Sequence, residues 1–547
     1  MPAFCTGGKL KIRRYGIGAI ALVAASALAL SGCASGSSTS TSASSSAVIT
    51  ANGSEPQNPL IPTNTNETGG GKILDSLFAG LVYYDATGKP VNDVADSITT
   101  DDAQTYTIKI KSGEKFTNGD PVTSSSFVDA WNYGANAANT QLNQSWFSII
   151  QGFDETNPQT SLSGLKVVDD TTFTVTLTEP LSDFPLRLGY SAYYPLPKEA
   201  FDDMAAYGQN PIGNGPYKLA SADAWKHNEQ ISLVANSDYT GGRKPVNGGV
   251  TFKFYASEDA AYADLLGGNL DILDSIPAAS LANYKADLGD RAVNQPAAIF
   301  QSFTIPASLA HFGNNQEGQL RRAALSMAIN RPEITKVIFQ DTRTPASDFT
   351  SPVIDGWSDS LTGADVLTYN PDKAKALWAQ ADAISPWSGT FQIGYNSDSS
   401  HQVWVDAVSN SIKNTLGIDA SGAPYPTFAE FRTAVTSGAI TTAFRTGWQA
   451  DYPGLYNFLQ PLYATNASSN DGKYSSAEFD KILAQGASET DAAAANSDFQ
   501  KAQEVLLKDL PAIPLWYANV TGGYADTVSN VQFGWNSVPL YYEVTKS

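Results

Sequence analysis

Apolar and polar residues alternate with a period of two over residues 105–111, where Tyr106, Ile108 and Ile110 share one face. The same alternation recurs over 171–177 with Phe173, Val175 and Leu177, and both stretches predict half-buried strands. Further strands are expected over 230–235 and 249–255, and a short one from Ile49 that ends in a loop before Pro56. Helical spacing replaces alternation elsewhere. Ile73, Leu74, Leu77 and Phe78 form one apolar face over 73–81, and Phe127, Val128 and Trp131 form another. A helix is predicted over 320–329, with Asn330 placed to cap the next one near Pro332. Asn370-Pro371-Asp372 opens a helix with Ala374, Leu377, Trp378 and Ala381 inward, and 403–416 ends at Gly417. Ser475-Ser476-Ala477-Glu478 reads as a capping box ahead of Phe479, Ile482 and Leu483. Interleaved strands and helices without a repeat predict an α/β or α+β chain of several domains. The two glycines and two prolines of 211–217 mark a rigid turn or a close backbone approach.

The first 32 residues break this pattern. Lys9, Lys11, Arg13 and Arg14 precede an apolar run over 17–30, which is too short for a stable bilayer span and reads as a signal peptide. It leads into Leu30-Ser31-Gly32-Cys33, which resembles a bacterial lipobox and implies lipidation of Cys33. Residues 34–47 are almost all Ser, Thr, Ala and Gly, a flexible tether reaching roughly 20 Å. Of the two cysteines, Cys5 leaves with the signal, so the mature body is expected to hold neither a free thiol nor a disulfide. Removing the four basic signal residues from 34 leaves 30 against 54 acidic ones, a net charge of about −24 that opposes nucleic-acid binding.

Catalytic patterns fail one by one. His227, His311 and His401 are too dispersed for a zinc motif, and no GxSxG elbow or phosphate loop is present. Ser112/Lys115 and Ser163/Lys166 match SxxK without an accompanying KTG. The stretch 467–478 imitates a calcium loop but has Ala467 at the first ligand position. Gly16-Ile17-Gly18-Ala19-Ile20-Ala21 imitates a dinucleotide fingerprint inside the signal. Neither metal nor cofactor is expected. Aromatic residues remain, several beside turns and charges, as at Trp146, Tyr425 and Trp448. Most such residues pack in cores; on loops they suit a ligand surface. The stretch 444–454 is the most concentrated case, with Arg445, Trp448 and Asp451 just after an expected strand. Asp451 before Tyr-Pro-Gly is either a turn aspartate or the anionic part of a cleft wall.

The motifs then collect. The segment 109–131 (KIKSGEKFTNGDPVTSSSFVDAW) and Pro211 to Tyr217 resemble elements of extracytoplasmic binding proteins of peptide ABC importers, the oligopeptide- and dipeptide-binding family. Asn214 stands where the family commonly has threonine. The stretches 320–331, 369–381, 474–483 and 510–517 are similar to further family elements, so the resemblance covers nearly all of the mature chain. It implies an α/β, two-lobed periplasmic-binding-protein type II fold with an extra inserted domain, three domains in all. The expected boundaries are 48–93, 199–300 and 524–547 for domain I, 94–198 for the insert and 301–523 for the second lobe, after signal 1–32 and tether 33–47.

The resemblance also implies site roles. Asp451 would take a peptide's α-ammonium and Trp448 would lie beside the ligand. Arg445, Arg432 and His401 would meet its carboxylate at different ligand lengths. Tyr425 stands where a relative has tryptophan, and Glu55 follows the strand that pairs with the ligand backbone. Arg445 is either a carboxylate partner or the counter-ion of Asp451. The implied protein is a non-enzymatic monomer, lipid-anchored on the outer face of the cell membrane, passing peptides to a permease with its ATPase subunits. The alternatives are the same fold holding an oligosaccharide, an opine or a metal chelate, a cell-surface hydrolase, and a signalling receptor or adhesin.

Overall fold

The computed structural model describes residues 46–397 and 400–547; the signal segment, Cys33 and nearly all of the tether lie outside that range. Two strands of 13 residues, Ala292–Thr304 and Ala512–Tyr524, form an antiparallel ribbon at the middle of a 12-stranded sheet. One end of the ribbon continues through Ile272–Leu273 into Val48–Gly53, Gly249–Phe254, Gln230–Ala235 and Tyr217–Leu219. Its other end continues into Ala443–Gln449, Thr390–Asn396 and Asp419–Tyr425. The ribbon's register slips between Pro296 and Phe300, where proline has no N–H to give the ladder.

Each side of the ribbon has its own core. One gathers Leu77, Phe78, Trp131, Phe173, Tyr193 and Phe252, the other Phe303, Leu325, Ile393, Val405, Leu506 and Trp516. A separate four-stranded antiparallel sheet, in the order Ala95–Thr100, Thr105–Ile110, Thr172–Thr176, Leu165–Asp169, shares the first core. The architecture is the expected two-lobed α/β fold with an inserted unit.

Local chemistry explains where elements begin. Asn330 and Asn370 cap the helices Arg331–Val337 and Pro371–Ile384 through their side chains, and Gly417 ends His401–Leu416 at φ 72°. The helix expected over 73–81 instead runs Thr68–Leu77, because the Glu67 carboxylate accepts the Gly70 N–H and starts it within the glycine run. A Cβ on Gly69 or Gly70 would stand 2.3 Å from Ser54 Oγ or 2.4 Å from Glu67 Oε1, so those glycines serve a close approach. Ser476 rather than Ser475 caps Ala477–Ala487, one residue later than the capping box places it. The 211–217 turn is a close approach as well: a Cβ on Gly213 would meet the Leu77 carbonyl oxygen at 1.9 Å. Asn214 completes it, accepting the Ala79 N–H at 3.0 Å and donating to its carbonyl at 2.9 Å.

Candidate functional site

The strand Ala443–Gln449 extends into the 444–454 stretch as far as Gln449 rather than ending before it, carrying Arg445 and Trp448 opposite Phe303 and Phe300. The chain then bends over 451–453 and re-enters a helix, Leu455–Tyr463. Asp451 is thus a turn residue and also a wall residue, for it lines a cavity of about 440 Å³, within the usual range for small-ligand sites.

Asn457, buried in the first turn of that helix, fixes this wall. Its Oδ1 accepts the Asp451 backbone N–H at 2.9 Å and the Trp448 indole N–H at 3.2 Å. Its Nδ2 donates to Asp451 Oδ2 at 3.1 Å. The next residue, Tyr452, is clasped from a distant part of the chain. Its hydroxyl donates to Asp183 and accepts from Arg187 Nη2 at 3.1 Å, and the Arg187 guanidinium lies 4.9 Å from the ring centroid. Asp451 is open to the cavity on one side, yet burial by the surrounding walls raises its carboxyl above the ordinary range, against the pull of Asn457 and Arg187. The cation acting on Asp451 is therefore Arg187, which sequence spacing did not point to.

The same cavity is lined by Tyr84, Tyr190, Tyr194, Trp535 and a second aspartate, Asp75. Tyr190 stacks on Trp146 at 4.0 Å, and Tyr84 meets Trp535 edge-on at 5.4 Å. Asp75 accepts the Tyr194 hydroxyl at 2.8 Å; burial raises its pKa while Tyr194 and Arg243 oppose the rise.

Trp448, Arg445 and Arg432 line a second cavity of about 260 Å³. Arg445 donates from Nε and Nη2 to Asn396 Oδ1 at 2.8 and 2.5 Å, with its guanidinium 5.2 and 5.0 Å from the rings of Phe428 and Phe431. Arg432 grips Asp471 at 2.7 and 3.4 Å. The other three expected site residues line neither of these cavities. His401 opens its helix and accepts the Trp404 indole N–H at 3.1 Å. Tyr425 ends its strand and meets Phe431 edge-on at 5.7 Å. Glu55 bonds His227 at 2.6 Å and the Asn228 N–H at 2.8 Å. Among the described residues, no group of three or more His, Cys, Asp or Glu could hold a metal ion. Nor is any helix there long and apolar enough to cross a membrane.

Asn457, Arg187, Asp75 and Tyr190 are the functional candidates that sequence reading missed. Asn457 lies only six residues from Asp451, but nothing in an isolated asparagine indicates that it reaches back.

Two cores joined by one ribbon, with charged and aromatic cavities beside it, make this a type II binding-protein architecture. The chain belongs to the bacterial extracellular solute-binding proteins, family 5, whose family model (middle region) matches residues 89–470, more than half of its length. It is 29% identical over 490 residues to the periplasmic oligopeptide-binding protein OppA of Escherichia coli, covering 86% of this chain and 87% of OppA. The solved structure of the periplasmic murein tripeptide-binding protein MppA in its unliganded open form superposes with a TM-score of 0.82 at 23% identity, over 91% of this chain and 97% of MppA. A second structure of Escherichia coli MppA, also 23% identical and covering 91% of this chain and 98% of MppA, gives 0.64.

Proposed function

We propose that this protein is a lipid-anchored extracytoplasmic receptor that captures peptides between its lobes and delivers them to an ABC permease. The observation that carries the reading is Asp451: an accessible carboxylate in a cavity wall, held by Asn457 and flanked by aromatic side chains. Its Trp-x-x-Asp context resembles that of the family aspartate that takes a peptide's amino terminus, and the relatives OppA and MppA are named for oligopeptides and a murein tripeptide. Trp448 and Arg445, on the strand leading to Asp451, are the companion contacts, Arg445 serving the ligand's carboxylate. Arg432 is a further carboxylate partner for a ligand that competes with Asp471. His401 is assigned as a further carboxylate partner at another ligand length, and Tyr425 and Glu55 as additional ligand contacts.

An extended peptide pairs its main chain with a strand edge whatever its side chains, and one charge at each end sets direction and length. Closure of the two lobes then provides the state a permease can read. Domain I (48–93, 199–300, 524–547), the insert (94–198) and the second lobe (301–523) are the moving parts we assign. Cys33 carries the lipid, and the protein acts as a monomer without chemistry of its own. Calorimetric titration with a free-amine tetrapeptide tests the reading. Asp451→Ala is expected to weaken binding by about 2 kcal/mol, roughly 30-fold; unchanged affinity sinks the assignment.

A further inference from the structure

The cavity beside Asp451 holds more negative charge than one α-ammonium can answer. Four carboxylates line it (Glu67, Asp75, Asp85, Asp451) against two cations, Lys72 and Arg243. Both cations pair with carboxylates that are not part of the lining, Lys72 with Asp274 and Arg243 with Asp93 at 3.2 Å; Arg243 also donates to the Asp75 backbone carbonyl at 2.6 Å and favours the ionised Asp75 carboxyl. Two of the four carboxylates are engaged by backbone amides. Glu67 caps its helix on the Gly70 N–H, and Asp85 accepts the N–H groups of Thr87 and Lys89 within its own turn.

Asp75 has no such use. It stands inside the helix Thr68–Leu77 and receives the hydroxyl of Tyr194. The Tyr190 phenol, raised first by burial, is raised further by the charges of Asp451 and then Asp75, so this ring feels both carboxylates. Carboxylates in a lining that also holds Tyr84, Tyr190, Tyr194 and Trp535 suit an organic cation, which gains from both charge and neighbouring aromatic rings. The lining also holds an unanswered polar group: the buried hydroxyl of Tyr541 has no partner among the described residues.

We propose that the cavity beyond Asp451 is a subsite for a second cation, with Asp75 as its specificity-determining carboxylate. The preferred ligands are then peptides whose first residue is lysine, ornithine or arginine. This rests on Asp451 taking the α-ammonium. A peptide with an uncharged first residue satisfies Asp451 but brings no cation to Asp75, whose ionised form burial already disfavours. A basic first residue neutralises both.

Calorimetry with the purified protein and three synthetic tripeptides tests this: Lys-Ala-Ala, norleucine-Ala-Ala and Ala-Lys-Ala. The lysine-first peptide is expected to bind about tenfold tighter than the other two, equal to ~1.4 kcal/mol. Asp75→Asn is expected to bring that ratio to about one. Equal affinities in the unaltered protein, or a ratio that survives Asp75→Asn, overturn the proposal. An Arg-first against a citrulline-first peptide repeats the measurement without any substitution, and a ratio of one there also overturns it, whether or not Asp75→Asn folds. Asp451→Asn separates the underlying reading. If it weakens lysine-first and norleucine-first peptides alike, both ideas stand. If it leaves both affinities intact while the lysine preference persists, the amino-terminus assignment fails and the cation subsite survives.

Discussion

Asn457 donates from Nδ2 to the Asp451 carboxylate at 3.1 Å while its Oδ1 takes the Asp451 backbone N–H at 2.9 Å. One buried amide thus holds the carboxylate, its backbone and, through the Trp448 indole, the neighbouring aromatic wall. Pre-ordering a site in the free protein removes an ordering cost from binding.

Asn457→Ala should therefore weaken peptide binding about tenfold, or ~1.4 kcal/mol, without removing any atom proposed to touch ligand. Titration calorimetry reads the affinity. A thermal melt should show a stability loss of about 1–3 kcal/mol from the unpaired Asp451 and Trp448 groups.

The raised pKa of Asp451 gives binding an acid limb. An ammonium ligand needs the ionised carboxylate, so affinity should fall as pH drops through a value above the ordinary 3.8. At mildly acidic pH, binding should release protons, measurable by calorimetry in buffers of different ionisation enthalpy. The same shift has a stability consequence of fixed sign. A carboxyl raised on folding costs stability above its folded pKa, and that cost vanishes as pH falls below the unfolded value. Ligand should stabilise the protein most on the neutral side.

The clasp on Tyr452 should be structural as well as electrostatic. Tyr452→Phe removes the hydroxyl shared by Asp183 and Arg187 and should cost about 1–3 kcal/mol in chemical denaturation. Arg187→Leu leaves Asp183 buried without its cation and should cost more, about 3–5 kcal/mol. It should also move the acid limb of binding to higher pH, because Arg187 lowers the Asp451 pKa.

Two glycines should respond in opposite ways. Gly213→Ala forces a Cβ to within 1.9 Å of the Leu77 carbonyl oxygen and should destabilise by about 3 kcal/mol. Gly71→Ala, inside the helix Thr68–Leu77 with nothing within 4 Å of the added Cβ, should stabilise by roughly 0.5–1 kcal/mol. Thermal melts of the two variants decide.

Much of the fold was legible because its signals are local. Alternation at 105–111, the caps at Asn330 and Asn370 and the stop at Gly417 each depend on neighbouring residues and backbone geometry. The glycines of 211–217 announced a close approach, although not its partner, the Leu77 carbonyl. The helix expected over 73–81 runs over Thr68–Leu77 instead, because the Glu67 side-chain cap starts it five residues earlier, within the glycine run. Asp451, Trp448 and Arg445 could be selected as chemistry-bearing residues, and the resemblance to a known family supplied the role expected of them.

By itself the sequence determined the family, the α/β class, the course of most elements and the one stretch to watch. Only the tertiary structure decided who surrounds that stretch. Arg187 reaches Tyr452 across 265 residues, Asp75 joins Asp451 in one cavity from the far side of the chain, and Glu55 is drawn to His227 instead. Charges act through space, over a few ångströms and through whatever dielectric the fold creates. A linear order of residues carries no record of those distances.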